Sequence, residues 1–315
     1  MFESILVPLD GSRYAESVLP YIVVFARAFN AHVTLLHIID LEQYLPSWRV
    51  PASGQTLHVQ YEKLVAQLPG ITETAAHVYL QQQSARLREQ GIATSEVVRH
   101  GKPAEVLAAY GDGGGERPGL LAMCTHGRSG LGRVVLGSVA DRLLRTAEVP
   151  LLLVHPSDRT AEMAAEIRQI VVALDGSHFA EAVVPYVQEA ALHLDIPVHL
   201  VQVLPTLARV YLGTQIEVYP PDILEEVEGA AHAYLGRVAS RLRRSGVRVE
   251  THVLQGEADS VIIRFGDERQ GSLLALTTHG RSGLGRWMLG SVADKVVRSS
   301  HDPVLVIHPT QGETS

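Results

Sequence analysis

Two segments of this chain concentrate residue types that handle anions. THGRSGLGRVVLGSVAD begins at Thr125 and returns as THGRSGLGRWMLGSVAD at Thr278, changed only at Val134/Trp287 and Val135/Met288. Glycines let a backbone turn at positive φ and let a ligand approach the main chain closely. Free N–H groups in such a loop, and at the start of the following helix, make an anion site. Gly127 and Gly137 would supply that backbone in the first segment, Gly280 and Gly290 in the second. Ser138 and Ser291 could add hydroxyl donors to a phosphate oxygen. Ser138 to Asp141 and Ser291 to Asp294 also read as capping boxes, in which the serine caps its helix. His126 and His279 precede the glycines, and Arg128 and Arg281 follow them. Each could contact phosphate; the alternatives are a histidine bonded to backbone and a solvated surface arginine. The segments are not P-loops, because the Lys and Ser/Thr that reach phosphate and Mg²⁺ are missing, and no GxGxxG follows the first strand.

What must position these loops is visible in the rest of the repeat. ILVPLDGSRYAESVLPY from Ile5 recurs as IVVALDGSHFAEAVVPY from Ile170, and the closing runs VPLLLVHP and DPVLVIHP end at Pro156 and Pro309. Self-similarity at this period means two domains in tandem. They are read as residues 1–156 and 167–315, joined by a polar linker at 157–166. Asp10 lies 115 positions before Thr125 and Asp175 lies 103 before Thr278, so the first copy is longer by 12, mostly after Asp40. Within a copy, short apolar runs rich in β-branched residues alternate with segments of helical spacing. Ser12 and Ser177 are expected N-caps, and Pro20 and Pro185 are expected to kink their helices. A polar helix is expected over His77 to Gln90.

Strands without polar alternation, separated by helices, make a parallel sheet covered on both faces. Right-handed crossovers give an open doubly wound α/β fold whose ligand crevice lies at the carboxyl ends of the strands. Asp10, Asp175 and both glycine loops fall at such ends. For the aspartates the alternative is a turn-forming Asp-Gly that caps the next helix.

Bulk properties narrow the function. The 315 residues carry a formal charge of -7, which argues against nucleic acid as a partner. One cysteine, Cys124, allows no intramolecular disulfide and reads as a small buried hydrophobe. No apolar stretch is long enough for a bilayer and the N-terminus has no leader pattern, so a cytoplasmic protein away from membranes is expected. The other histidines show no ligand spacing, so no protein metal site is expected. Phosphoryl transfer needs a base, a metal site and a charge-stabilising cation. With no Walker lysine and no paired carboxylates by the loop, no catalytic residue is expected, and hydrolysis at most slow.

The joint pattern of a first strand ending in Asp-Gly-Ser, the turn Gly101-Lys102-Pro103-Ala104, and His-Gly-Arg-Ser-Gly…Leu-Gly-Ser-Val resembles the universal stress protein superfamily over both halves. The resemblance implies two Rossmann-like domains, each a five-stranded parallel sheet of order 3-2-1-4-5, that bind ATP or AMP through G-x2-G-x9-G-S/T. Mg²⁺ or Mn²⁺ would arrive on the phosphates. By position the motif's second glycine is Gly127 and Gly280, its third Gly137 and Gly290, and its last residue Ser138 and Ser291. The first glycine is replaced by Cys124 and Thr277, which is expected to weaken binding near the ribose. The second copy reads Gly256-Glu257-Ala258, without the proline.

The implied nucleotide-binding set begins at the first strand of each copy, with Pro8, Leu9 and Asp10 and with Ala173, Leu174 and Asp175. It continues at the second strand with Ile38 and Val203, set against the adenine. Cys124, Thr125 and His126 carry it to the loop, with Thr277, Thr278 and His279 in the second copy. Gly127 and Arg128, with Gly280 and Arg281, then lead to Gly137, Ser138 and Val139 and to Gly290, Ser291 and Val292. The closing strands are expected to pair antiparallel and make the chain an intramolecular pseudo-dimer, with a homodimer as a further assembly. Two functions remain open: nucleotide binding in a stress response, or an interaction module of the same fold with one or both pockets empty.

Overall fold

The computed structural model describes residues 1–41, 55–111, 117–126, 136–156, 165–206, 221–278 and 289–309, with backbone alone at 55–68, 111 and 221–224. Gly127, Arg128, His279, Gly280 and Arg281 lie outside the described residues. So does nearly all of two further segments, Leu41–Gln55 and Thr206–Pro221.

The first half opens with β1 (Ser4–Pro8), whose middle is buried, and the one-turn helix α1 (Arg13–Glu16). Ser12 caps α1 as expected, its hydroxyl accepting from the Ala15 N–H at 3.1 Å. Pro20 produces a break rather than the expected kink. The chain ends α1 and starts α2 (Leu19–Phe29) with Pro20 in its first turn, where the missing N–H has no helix partner to lose. There follow β2 (His32–Ile39), α3 (Gln55–Arg88), β3 (Thr94–His100), α4 (Pro103–Gly111), β4 (Leu120–Cys124), α5 (Ser138–Thr146) and β5 (Leu151–Val154). Helix α3 is far longer than the segment from His77. Its earlier turns carry Pro69 and Gly70 and little apolar periodicity, which hides them in the sequence.

The second half repeats the order with β6 (Gln169–Ala173), α6 (His178–Glu181), α7 (Val184–Leu194), β7 (Val198–Leu204) and α8 (Pro221–Arg244). It closes with β8 (Val249–Gln255), α9 (Ala258–Asp267), β9 (Ser272–Thr277), α10 (Ser291–Ser299) and β10 (Val304–Ile307). Ser177 caps α6 through the Ala180 N–H, and Pro185 sits in the first turn of α7.

All ten strands form one sheet, ordered β3-β2-β1-β4-β5-β10-β9-β6-β7-β8. Each half therefore has the order 3-2-1-4-5 and is parallel throughout. The halves join through β5 and β10, which run antiparallel with Leu152 opposite Leu305. Both are wholly buried four-residue apolar strands, and each covers an edge that the other would leave bare. One apolar core lies on each face of the sheet, and both cores run through the two halves. Among the described residues no helix is long and apolar enough to cross a membrane.

Candidate functional site

In the first half a cavity of about 290 Å³ opens where the parallel strands end. Strand β1 brings Pro8, Leu9 and Asp10 to it, β2 brings Ile38, and β4 brings Cys124, Thr125 and His126. Gly137, Ser138 and Val139, at the start of α5, close the opposite wall. The second half repeats the cavity at about 300 Å³. There Ala173, Leu174 and Asp175 follow β6, Val203 ends β7, Thr277 and Thr278 end β9, and Gly290, Ser291 and Val292 start α10. Every described residue of the expected set thus lines one of the two cavities. Both volumes lie at the lower end of the range of small-molecule sites, about 300–1,000 Å³. Pro103 and Leu107 of α4, and Ala258 and Ile262 of α9, also line them; from sequence Pro103 and Ala258 stand out only as parts of the turns, and none of the four as a site residue. The turns at Gly101 and Gly256 are the signal that could have found them, since each starts the helix concerned.

The loop ends are built alike. The Gly137 N–H donates to the Thr125 carbonyl at 2.8 Å, and the Gly290 N–H to the Thr278 carbonyl at 2.8 Å. A Cβ at Gly137 would stand 3.0 Å from the Thr125 oxygen, and one at Gly290 2.9 Å from the Thr278 oxygen. Only glycine closes this turn without displacing the carbonyl. The same glycines, with extended backbone, are the N-caps of α5 and α10. The capping boxes expected at Ser138 and Ser291 therefore do not form. Each serine is the first helical residue and makes no side-chain cap, so its hydroxyl and the first-turn N–H groups sit at the cavity wall.

Asp10 and Asp175 each accept a hydrogen bond from a backbone N–H two residues on, at Ser12 and Ser177, both at 2.9 Å. The turn-forming role is real, and it fixes the carboxylate at the cavity. Cys124 is buried beside the Ser17 hydroxyl, 3.5 Å away, and burial raises its thiol pKa. It fills the strand end as a neutral side chain. The Nε2 of His126 is buried with no hydrogen-bond partner among the described residues, on a residue that lines the cavity.

Two histidines unremarked in the sequence tie each cavity to the opposite half. His155, just after β5, holds its Nε2 2.6 Å from the Val297 carbonyl in the last turn of α10, and its Nδ1 3.0 Å from the Thr125 hydroxyl. His308, just after β10, places Nε2 2.7 Å from the Leu144 carbonyl in the last turn of α5, and Nδ1 3.1 Å from the Thr278 hydroxyl. The last carbonyls of a helix have no partner within it, so each ring caps the helix of the other half. Donation from Nε2 leaves Nδ1 to accept the threonine hydroxyl proton. Burial pushes the pKa of His155 down, keeping the neutral ring that this pattern needs. Arg298 strengthens the seam, donating to Asp294 in its own helix and to Asp141 of α5, both at 2.8 Å. The hint in the sequence was a polar residue kept in both copies at the end of an otherwise apolar strand.

A doubly wound sheet, doubled about an antiparallel seam, with one crevice per half behind a glycine-closed helix start, is the open α/β class whose crevice lies at the carboxyl ends of the strands. The sequence pattern of the universal stress protein family matches residues 1–155 and again residues 166–308. The chain belongs to that family, with two of its domains in tandem. It is 24% identical over 312 residues to the universal stress protein Slr1230 of Synechocystis, covering 96% of this chain and 99% of that protein. Universal stress protein E of Photorhabdus laumondii is 23% identical over 318 residues, covering 98% of this chain and 95% of its own length. A solved universal stress protein from Archaeoglobus fulgidus has the same fold, with a TM-score of 0.66 and 18% identity over 98% of this chain and 100% of that one.

Proposed function

We propose that this tandem universal stress protein binds an adenine nucleotide, ATP or AMP, in each half and serves as a stress-response signalling protein rather than a catalyst. The observation that carries the reading is the recurrence of one cavity, at equivalent positions of both halves, walled by a glycine-capped helix start. First-turn N–H groups and the helix dipole favour a phosphate there. Ser138 and Ser291 add hydroxyls, and the His126 Nε2, without a partner among the described residues, adds a polar group that would donate to a phosphate oxygen once the ring is protonated. The apolar remainder of each cavity suits the faces of a base and sugar. Cys124 and Thr277, at the strand ends, leave the backbone donors of the helix start intact, so they weaken affinity rather than remove it. Divalent cations, Mg²⁺ or Mn²⁺, come with the phosphates.

Calorimetry on nucleotide-stripped protein tests this, with ATP and AMP as titrants. The expected result is saturable binding of two equivalents per chain and turnover well below about 1 per second, the low end of ordinary enzyme rates. No binding at about 1 mM, a binding energy of only about 4 kcal/mol, would refute the reading and leave an interaction module with empty pockets.

A further inference from the structure

Outside the two cavities, one cluster of side chains among the described residues has the make-up of a metal centre. His199 lies on β7, and Glu250 and His252 lie on the edge strand β8. The sheet register sets His199 beside Glu250 and Val201 beside His252. Neighbours in a parallel ladder share a face, as do residues two apart on one strand, so all three side chains rise from the same face. His199 Nδ1 is 3.2 Å from His252 Nε2 and 3.4 Å from Glu250 Oε2, and His252 Nε2 is 3.7 Å from Glu250 Oε2. Bonds of about 2.0–2.1 Å from a tetrahedral Zn²⁺ to N and O ligands put those atoms roughly 3.3 Å apart. The three atoms already stand near that separation.

We propose that His199, Glu250 and His252 bind one divalent transition-metal ion of the zinc class, with the fourth position open to water. Two imidazoles and one carboxylate are a borderline donor set that suits zinc better than Mg²⁺ or Ca²⁺, which prefer all-oxygen sites. The surroundings are graded as such a site needs. His199 is 9% exposed at its side chain, His252 23% and Glu250 66%, so the ion has a dry floor and an open mouth. Phe265 of α9 packs its ring 4.8 Å from that of His252 and 6.1 Å from that of His199, which limits their rotation. Burial lowers the pKa of both histidines, with Arg269 adding to it, and neutral imidazole is the ligating form. Arg269 itself lies over Phe265, with its guanidinium carbon 3.5 Å from the ring centroid.

The other half of the chain is an internal control. Ile5 pairs with Val33 and Ile170 with Val198, so Thr34 stands where His199 does. Val33 pairs with Thr94 and Val198 with Val249, so Ser95 and Val97 stand where Glu250 and His252 do. There the fold is served by a 3.1 Å contact between the Thr34 and Ser95 hydroxyls. The same strands fold with no ligand set, so packing alone does not call for two histidines and a glutamate in the second half. An ion held by β7 and β8 would clip the edge strand to its neighbour.

The test uses the full chain, untagged and stripped with a chelator, and no nucleotide. Zn²⁺ alone is titrated by equilibrium dialysis, and Co²⁺ is used as an optical stand-in that reports tetrahedral coordination. Wild-type protein should bind one equivalent, show tetrahedral Co²⁺ bands and unfold at a higher temperature with Zn²⁺ present. The double change His199→Thr with His252→Val, the residues the first half carries, should lower affinity by at least about 100-fold and abolish the bands and the thermal shift. Glu250→Gln alters an exposed side chain, leaves the fold unperturbed and should weaken binding by about tenfold. Absence of wild-type binding at about 100 µM Zn²⁺, a binding energy of little more than 5 kcal/mol, would overturn the proposal and leave a hydrogen-bonded histidine pair. So would binding that both variants retain unchanged.

Discussion

Replacing Asp302 by Asn should make the protein more stable at pH 8, and by less than half as much at pH 5. Asp302 sits in the turn between α10 and β10. Its N–H donates to the Ser300 hydroxyl at 3.0 Å, and that hydroxyl donates to its carbonyl at 3.1 Å. The carboxyl Oδ2 is buried with no hydrogen-bond partner among the described residues, and Val149, 2% exposed, fills the equivalent place in the first half. Burial, with Asp267 adding like charge, pushes the Asp302 carboxyl up from 3.8 to about 7. Between about pH 4 and pH 7 the folded chain therefore holds a proton that the unfolded chain has released. Stability falls as pH rises through that window and levels off above it. A separation of roughly three units, at 1.36 kcal/mol each, bounds the effect at about 4 kcal/mol. Asn keeps the shape and cannot ionise, so a gain of about 2–4 kcal/mol at pH 8 is expected, shrinking to about 1–1.5 kcal/mol at pH 5, only about one unit above the carboxyl's unfolded value. Urea unfolding of both chains at the two pH values measures it. His155, His199 and His252 drift the opposite way, since lowered pKa values cost stability as pH falls below the 6.5 of the free ring, but they are common to both chains and cancel in the difference. A difference that is the same at both pH values, or an Asn variant weaker at pH 8, would refute the argument.

Gly137→Val with Gly290→Val would drive a Cβ into the Thr125 and Thr278 carbonyls, costing about 1–3 kcal/mol per site in overpacking. Calorimetry with ATP should then show binding lost while circular dichroism shows the chain folded. His155→Ala leaves the Val297 carbonyl without its ring partner and the Thr125 hydroxyl with only one of its two, and denaturant titration should show a loss of about 1–3 kcal/mol. Residues 1–156 expressed alone would present β5 as a bare apolar edge, so sizing experiments should find them self-associated; a monodisperse monomer would count against the seam as described.

Much of the fold was legible because both copies carry it. The recurring runs from Ile5 and Ile170 show the doubling, and the strand–helix alternation gives a parallel sheet, while the strand order and the antiparallel seam followed from the family resemblance. The strand-end residues of the candidate site were legible for the same reason, since a parallel sheet brings its carboxyl ends together whatever lies between them. What escaped depended on detail below the pattern. Pro20 is a kink or a start depending on where one turn ends, and Ser138 is a cap or a first helical residue depending on the backbone of Gly137. The His199 and His252 pairing could not be read from spacing, because 52 residues separate the two in the chain and only the register of β7 against β8 sets them side by side.

The antiparallel join of β5 and β10 has a consequence for how such a protein can change over time. Two identical chains meeting about a two-fold axis must accept every substitution twice, once on each side. Here both sides of the axis are written separately in one gene, and their ratio is fixed at one to one by the covalent link. A substitution that would be harmful in duplicate can be taken up once. Thr34, Ser95 and Val97 can stay as they are while His199, Glu250 and His252 occupy the mirrored places, and Val149 can stay apolar opposite Asp302. The fused pair has the freedom of a heterodimer without needing two different subunits to find each other.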